Sequence, residues 1–188
     1  MMIKAKYLRG LAIATLVCAG MTQQITLAKE LTVDVSNIAS NDERDAASNI
    51  TLDFYVGAGA SMDSLKWDVC VTSYAGSYLS EMQITFSDTL GNGVTFAPGG
   101  GDDFDGPMAY AGFQDLRLNG TSFQVGSEGI LRLEFHEYYK DLAYDEPDGI
   151  WNSGTLTFGV TPVPEPQTYA LMLGGLLLIL RAAKRRGA

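Results

Sequence analysis

The run Gly99-Gly100-Gly101-Asp102-Asp103-Phe104-Asp105-Gly106 places three carboxylates, Asp102, Asp103 and Asp105, on a glycine-hinged loop. Hard oxygens at that density suit Ca²⁺, which takes roughly 6–8 oxygen ligands, and calcium is the one cofactor these residues suggest. The EF-hand pattern with its closing Glu is absent, so a solvated acidic loop is the competing reading. Asp145, Glu146 and Asp148 form a second acidic loop that would add ligands. His136 is the only histidine, and a lone histidine builds neither a typical zinc site nor a nucleophile–base dyad with Cys70. It reads as an ordinary strand residue. The segment Gly59-Ala60-Ser61-Met62-Asp63 lacks the final glycine of a nucleophile elbow, and no phosphate-binding loop or dinucleotide fingerprint is present. A glycosidase needs two acids at a set separation, and nothing in the sequence singles out a pair. Tyr74, Tyr78, Tyr110, Tyr138, Tyr139, Tyr144 and Trp151 fall in or near expected loops, where aromatic rings either stack on sugars or cap the core.

These residues belong to a chain of 188 residues with a net charge of −9, long enough for one domain with short appendages. Residues 29–162 hold 21 acids against 6 bases, which argues against a nucleic-acid partner. The ends are basic. Lys4, Lys6 and Arg9 precede an apolar stretch from Leu11 to Met21, and Thr26-Leu27-Ala28 offers a small-residue cleavage site. Residues 1–28 therefore read as a secretory signal peptide, since an apolar run that short falls below the ~20 residues of a spanning helix. Its removal takes Cys18 and leaves Cys70 as the only thiol, so the mature chain holds together without an internal disulfide. Cys70 alternates onto the face of Lys66 and Asp68 and reads as a half-buried outer-face residue. A reactive or dimer-forming thiol is the other reading.

At the C-terminus, Val163-Pro164-Glu165-Pro166 leads into an apolar run from Tyr169 to Leu180, followed by Arg181, Lys184, Arg185 and Arg186. A helix over that run is shorter than the ~30 Å hydrocarbon core, and it crosses only with help from flanking residues and snorkelling basic side chains. The basic cluster would stay cytoplasmic. Motif, short apolar helix and basic end, in this order over residues 163–188, closely resemble the PEP-CTERM sorting signal. The resemblance implies export across the inner membrane of a Gram-negative bacterium and processing near Pro164-Glu165-Pro166 by the membrane enzyme exosortase. Delivery to the cell surface or the exopolysaccharide matrix would follow.

Between the two ends the apolar pattern has a period of two. Leu31, Val33 and Val35 alternate, as do Ile50, Leu52, Phe54 and Val56, then Leu65, Trp67, Val69 and Val71. Met82, Ile84 and Phe86 precede Gly91-Asn92-Gly93 and Val94 with Phe96, which predicts a hairpin. Leu116 with Leu118, Phe123 with Val125, Leu131 through Phe135, and Leu156 through Val160 complete the set. Short runs separated by turn residues predict an all-β, two-sheet sandwich over 29–162. The order Met82-Gln83-Ile84-Thr85-Phe86-Ser87-Asp88, Gly91-Asn92-Gly93-Val94, Gly129-Ile130-Leu131-Arg132-Leu133-Glu134 and the closing Asp148-Gly149-Ile150-Trp151-Asn152-Ser153-Gly154-Thr155-Leu156, within residues 65–160, is similar to the jelly-roll P-domain of proprotein convertases and to other galactose-binding-like modules. That similarity implies a jelly roll and no particular ligand. The expectation is a non-enzymatic exported surface or matrix protein; a carbohydrate-binding module for exopolysaccharide, or a secreted hydrolase, would differ in needing an aromatic platform or a pocket of perturbed carboxylates.

Overall fold

A computed structural model describes residues 29–163 and 166–186. The segment 1–28 expected to be a signal peptide, and with it Cys18, lies outside the described residues, as do Pro164 and Glu165. In chain order the strands are β1 (Lys29–Asp34), β2 (Ile38–Ser40), β3 (Ile50–Tyr55), β4 (Ser61–Ser73), β5 (Met82–Ser87) and β6 (Gly93–Phe96). Then come β7 (Gly106–Asp115), β8 (Phe123–Gln124), β9 (Ile130–Glu137) and β10 (Gly149–Thr161), followed by one helix, α1 (Pro166–Arg186).

The strands form a β-sandwich of two antiparallel sheets. One sheet runs β1-β10-β4-β7, with β2 added beside β10 and β8 beside β4; the other runs β3-β9-β5-β6. Period-two alternation explains which side chains are buried. Leu65, Val69 and Val71 of β4 and Leu156, Phe158 and Val160 of β10 face inward from the first sheet. They meet Ile84 and Phe86 of β5 and Leu131, Leu133 and Phe135 of β9 from the second. Aromatic contacts tie the layers: Phe86 meets Phe158 edge-on at 5.2 Å between centroids, and Phe135 meets Trp151 at 5.4 Å. Burying each of these side chains stabilises the fold by ~1.5–3 kcal/mol.

The expected hairpin forms between β5 and β6. Asp88 holds its turn by accepting bonds from the backbone of Leu90 and Asn92 and from the Asn92 side chain. Burial works against the Asp88 charge, but these donors prevail and keep its carboxyl below the ordinary range. On β10 the register slips between Trp151 and Ser153, and Gly154 turns the strand at φ 118°; a Cβ there would sit 2.2 Å from the Asp68 carbonyl.

Two expectations fail at the level of single elements. Leu116 and Leu118 do not form a strand, because Asp115 collects the backbone N–H groups of Arg117 and Leu118 and bends the chain into a turn. Trp151 is not a loop aromatic. It lies on β10 and is fully buried against Phe135.

Candidate functional site

Chemistry-bearing side chains collect at one end of the sandwich, where the β4–β5 and β9–β10 connections interlock. The Tyr74 N–H bonds the Asp148 carbonyl at 2.8 Å, the Tyr138 N–H bonds the Glu81 carbonyl at 2.8 Å, and the Leu142 side chain approaches Gly76. The knot is Asp148, which is completely buried. Its Oδ1 accepts from Lys140 Nζ at 2.7 Å and from the Leu142 N–H at 3.1 Å, and its Oδ2 from the Asp141 N–H at 2.8 Å. Lys140 Nζ also donates to the Glu146 carbonyl. An ion pair removed from water in this way survives because both members have further hydrogen-bond partners.

Beneath the loops lies a group with no such compensation. Glu137 is 1% exposed, and neither carboxylate oxygen has a hydrogen-bond partner; Ser73 Oγ and Trp151 Nε1 are also buried without one. Burial pushes the Glu137 carboxyl up to about 8, and the nearby charges of Asp148 and Glu81 push the same way, against Lys140; the Ser40 hydroxyl is spent on the His136 carbonyl at 3.1 Å. Glu81 is raised too, by burial and by sharing its site with Asp141. Glu137 continues the inward row of Leu131, Leu133 and Phe135, so alternation alone marks it as a core-facing acid.

His136 faces the opposite way on the same strand and is buried. Its Nδ1 lies 3.0 Å from the Glu137 carbonyl, which can only accept, so Nδ1 carries the proton. Nε2 is hydrogen-bonded to the Thr85 hydroxyl at 2.8 Å, and that hydroxyl to the Thr95 hydroxyl at 2.7 Å. The imidazole is a structural link in a hydroxyl chain. Cys70 is half-buried on the outer face between Ser153 and Ala109, as its alternation implied.

The glycine-hinged acidic loop folds back on the β4–β5 connection. Asp102 Oδ2 accepts from the Tyr110 phenol at 2.6 Å, and Asp103 Oδ1 from the Ser80 hydroxyl at 2.8 Å, while Asp105 is exposed. Burial and the Asp102 carboxylate both push the Tyr110 phenol far above its ordinary value, so it stays a donor. Among the described residues no group of three His, Cys, Asp or Glu side chains could hold a metal ion. Asp145 and Glu146 are exposed and stand apart from buried Asp148 in role.

Of the expected aromatic set, Tyr74, Tyr78, Tyr138, Tyr139 and Tyr144 are exposed on the two interlocked loops, whereas Tyr110 is half-buried. At the other extreme of the chain, Val163 is exposed, and α1 starts at Pro166 and runs through the apolar stretch to Arg186. Arg181, Lys184 and Arg185 are exposed on its last turns. No helix among the described residues is long and apolar enough to cross a membrane.

No protein-family model matches the chain, and no curated protein matches it. Among solved structures it is similar to the VP2 subviral particle of infectious bursal disease virus, at 10% identity and a TM-score of 0.36, over 70% of this chain and 32% of that one. It is likewise similar to the Gt strain of the same virus, at 14% identity and a TM-score of 0.33, over 70% and 33% of the two chains. The chain thus spans about a third of the length of the viral proteins it matches.

Proposed function

We propose that this chain is a non-enzymatic protein of the bacterial exterior, exported by its signal peptide, held briefly at the inner membrane through α1, and released there by exosortase. The observation that carries the reading is the order of parts at the C-terminus. The sandwich closes with β10 at Thr161, the Pro164-Glu165-Pro166 motif follows within a few residues, and then comes a helix with an apolar surface and a basic end. Leu171, Leu173, Leu177 and Ile179 are each more than half exposed on α1, a surface that calls for lipid or protein to cover it. A helix whose apolar run is too short to span unaided is a weak anchor, as a transient intermediate needs, and Arg181, Lys184 and Arg185 would hold it by snorkelling. The order β1-β10-β4-β7 facing β3-β9-β5-β6 supports a jelly roll for the exported body. Asp102, Asp103, His136 and Asp148 are committed to structural bonds, and Glu137, the carboxyl pushed up most, is closed off from solvent at 1% exposure, which favours a body without a reaction centre.

Replacing Pro164, Glu165 and Pro166 by alanine in the producing cell should leave the full-length protein unprocessed in the inner-membrane fraction. Normal surface delivery of that variant would sink the proposal.

A second reading, a carbohydrate-binding module for exopolysaccharide, is favoured by the five exposed tyrosines on the interlocked loops. Their rings offer apolar faces with hydroxyl tips, the chemistry that stacks on sugar rings. Retardation in a gel containing the cell's own exopolysaccharide, lost on Tyr138→Ala with Tyr139→Ala, is the expected result; equal mobility of wild type with and without polysaccharide would dismiss it.

A further inference from the structure

The edges of the two sheets are not equally guarded. Exposed edges invite strand addition, and proteins blunt them with charge, shortness or proline. β1 carries Lys29, Glu30 and Asp34, β3 carries Asp53 paired to Arg132, and β6 has four residues. β7 differs. It is ten residues long, pairs only with β4 among the described residues, and has no charged side chain from Gly106 to Gln114. Pro107 removes one N–H near its start, which leaves Met108–Gln114 as an open ladder.

We propose that this edge pairs with the same edge of a second copy of the chain, antiparallel, about a two-fold axis at Ala111. The sequence along β7 is self-complementary in that register. Ala109 of one copy faces Phe113 of the other, Tyr110 faces Gly112, Met108 faces Gln114, and Ala111 faces itself. On the outer face the large ring of Phe113 meets the small Ala109, while on the inner face the space at Gly112 is filled by Trp67 of the same copy. The outer face supplies Ala109, Ala111 and Phe113, all exposed, with Phe113 64% so. An isologous contact repeats every such pair twice, and antiparallel strands are related by a two-fold axis without further adjustment. The uncharged edge is also where two strongly acidic bodies approach with least repulsion, because Asp115 at its end is already paired to Arg117 at 3.1 Å. Other registers lose the match, since a shift of one residue brings large side chains opposite each other or exposes the ladder ends.

The test is disulfide trapping in the full chain with Cys18 and Cys70 changed to serine. In the proposed pairing the two Ala111 Cα atoms lie roughly 4.5–5.5 Å apart, within disulfide range, whereas the two Ala109 Cα atoms lie about 14 Å apart. Ala111→Cys should therefore give a covalent dimer on mild oxidation, at least tenfold faster than Ala109→Cys. Adding Phe113→Glu to Ala111→Cys should slow trapping at least tenfold, with an unchanged β-type circular dichroism spectrum showing that the fold persists. Equal trapping at 109 and 111, no trapping at 111, or indifference to Phe113→Glu would each overturn the proposal.

Discussion

The indole of Trp67 on β4 lies against Gly112 on β7, so closely that a Cβ at 112 would fall 2.4 Å from its Cζ2 atom. The same indole packs against Phe96 of the facing sheet, at 4.6 Å between centroids with the ring planes tilted by 52°. The glycine thus makes room for the ring that closes this side of the sandwich. Gly112→Ala should cost ~1–3 kcal/mol, the usual range for overpacking. Trp67→Ala should cost ~3–5 kcal/mol. In the double variant the alanine at 112 should cost almost nothing further, because the atom it strikes is gone; a double-mutant cycle by urea unfolding measures this. Full additivity would show that the two residues do not share the space.

How much of this arrangement was legible depended on side-chain type. β4, β5, β9 and β10 announced themselves because branched and aromatic residues alternate along them, and burial rewards that pattern in a sandwich. β7 did not. Its Gly-Pro-Met-Ala-Tyr-Ala-Gly run has low strand propensity, and it is a strand because β4 offers it a ladder. In the acidic loop the carboxylates were legible from composition but the donors Tyr110 and Ser80 were not, because only the fold brings them to Asp102 and Asp103. Glu137 was visible in the period-two pattern yet easily passed over, since an acid that follows Phe135 and His136 at the end of a strand looks like its solvated last residue.

The Lys140–Asp148 pair should govern the loop end of the molecule. Asp148→Asn leaves the Lys140 ammonium, only 14% exposed, without its carboxylate, and breaking a buried pair by removing one partner costs ~3–5 kcal/mol. The loss should appear first as faster amide hydrogen exchange in residues 138–148, because Asp148 also holds the Asp141 and Leu142 N–H groups. Protection unchanged from wild type in that segment would mean that the loop is held by its hydrophobic contacts instead.

Glu137 makes stability depend on pH in an unusual direction. Its carboxyl titrates at about 8 when folded and near the ordinary value of 4.5 when unfolded. Between these values the folded state holds a proton that the unfolded chain releases, so the stability contribution is fully present below about pH 4.5. It is lost as the pH rises toward about 8, at up to ~1.4 kcal/mol per pH unit. Glu81, also raised, acts in the same sense, while Asp53, held low by its bonds to Arg132, weakens the fold only when the pH falls below the ordinary carboxylate range. Urea unfolding from pH 5 to 8 should therefore show stability declining with pH in the wild type. Glu137→Gln keeps the shape and removes the titration, so its profile over that range should be distinctly flatter and cross above wild type near pH 8. A variant whose profile runs parallel to wild type would place the carboxylate in contact with water or with a compensating cation, and the buried, protonated Glu137 would have to be abandoned.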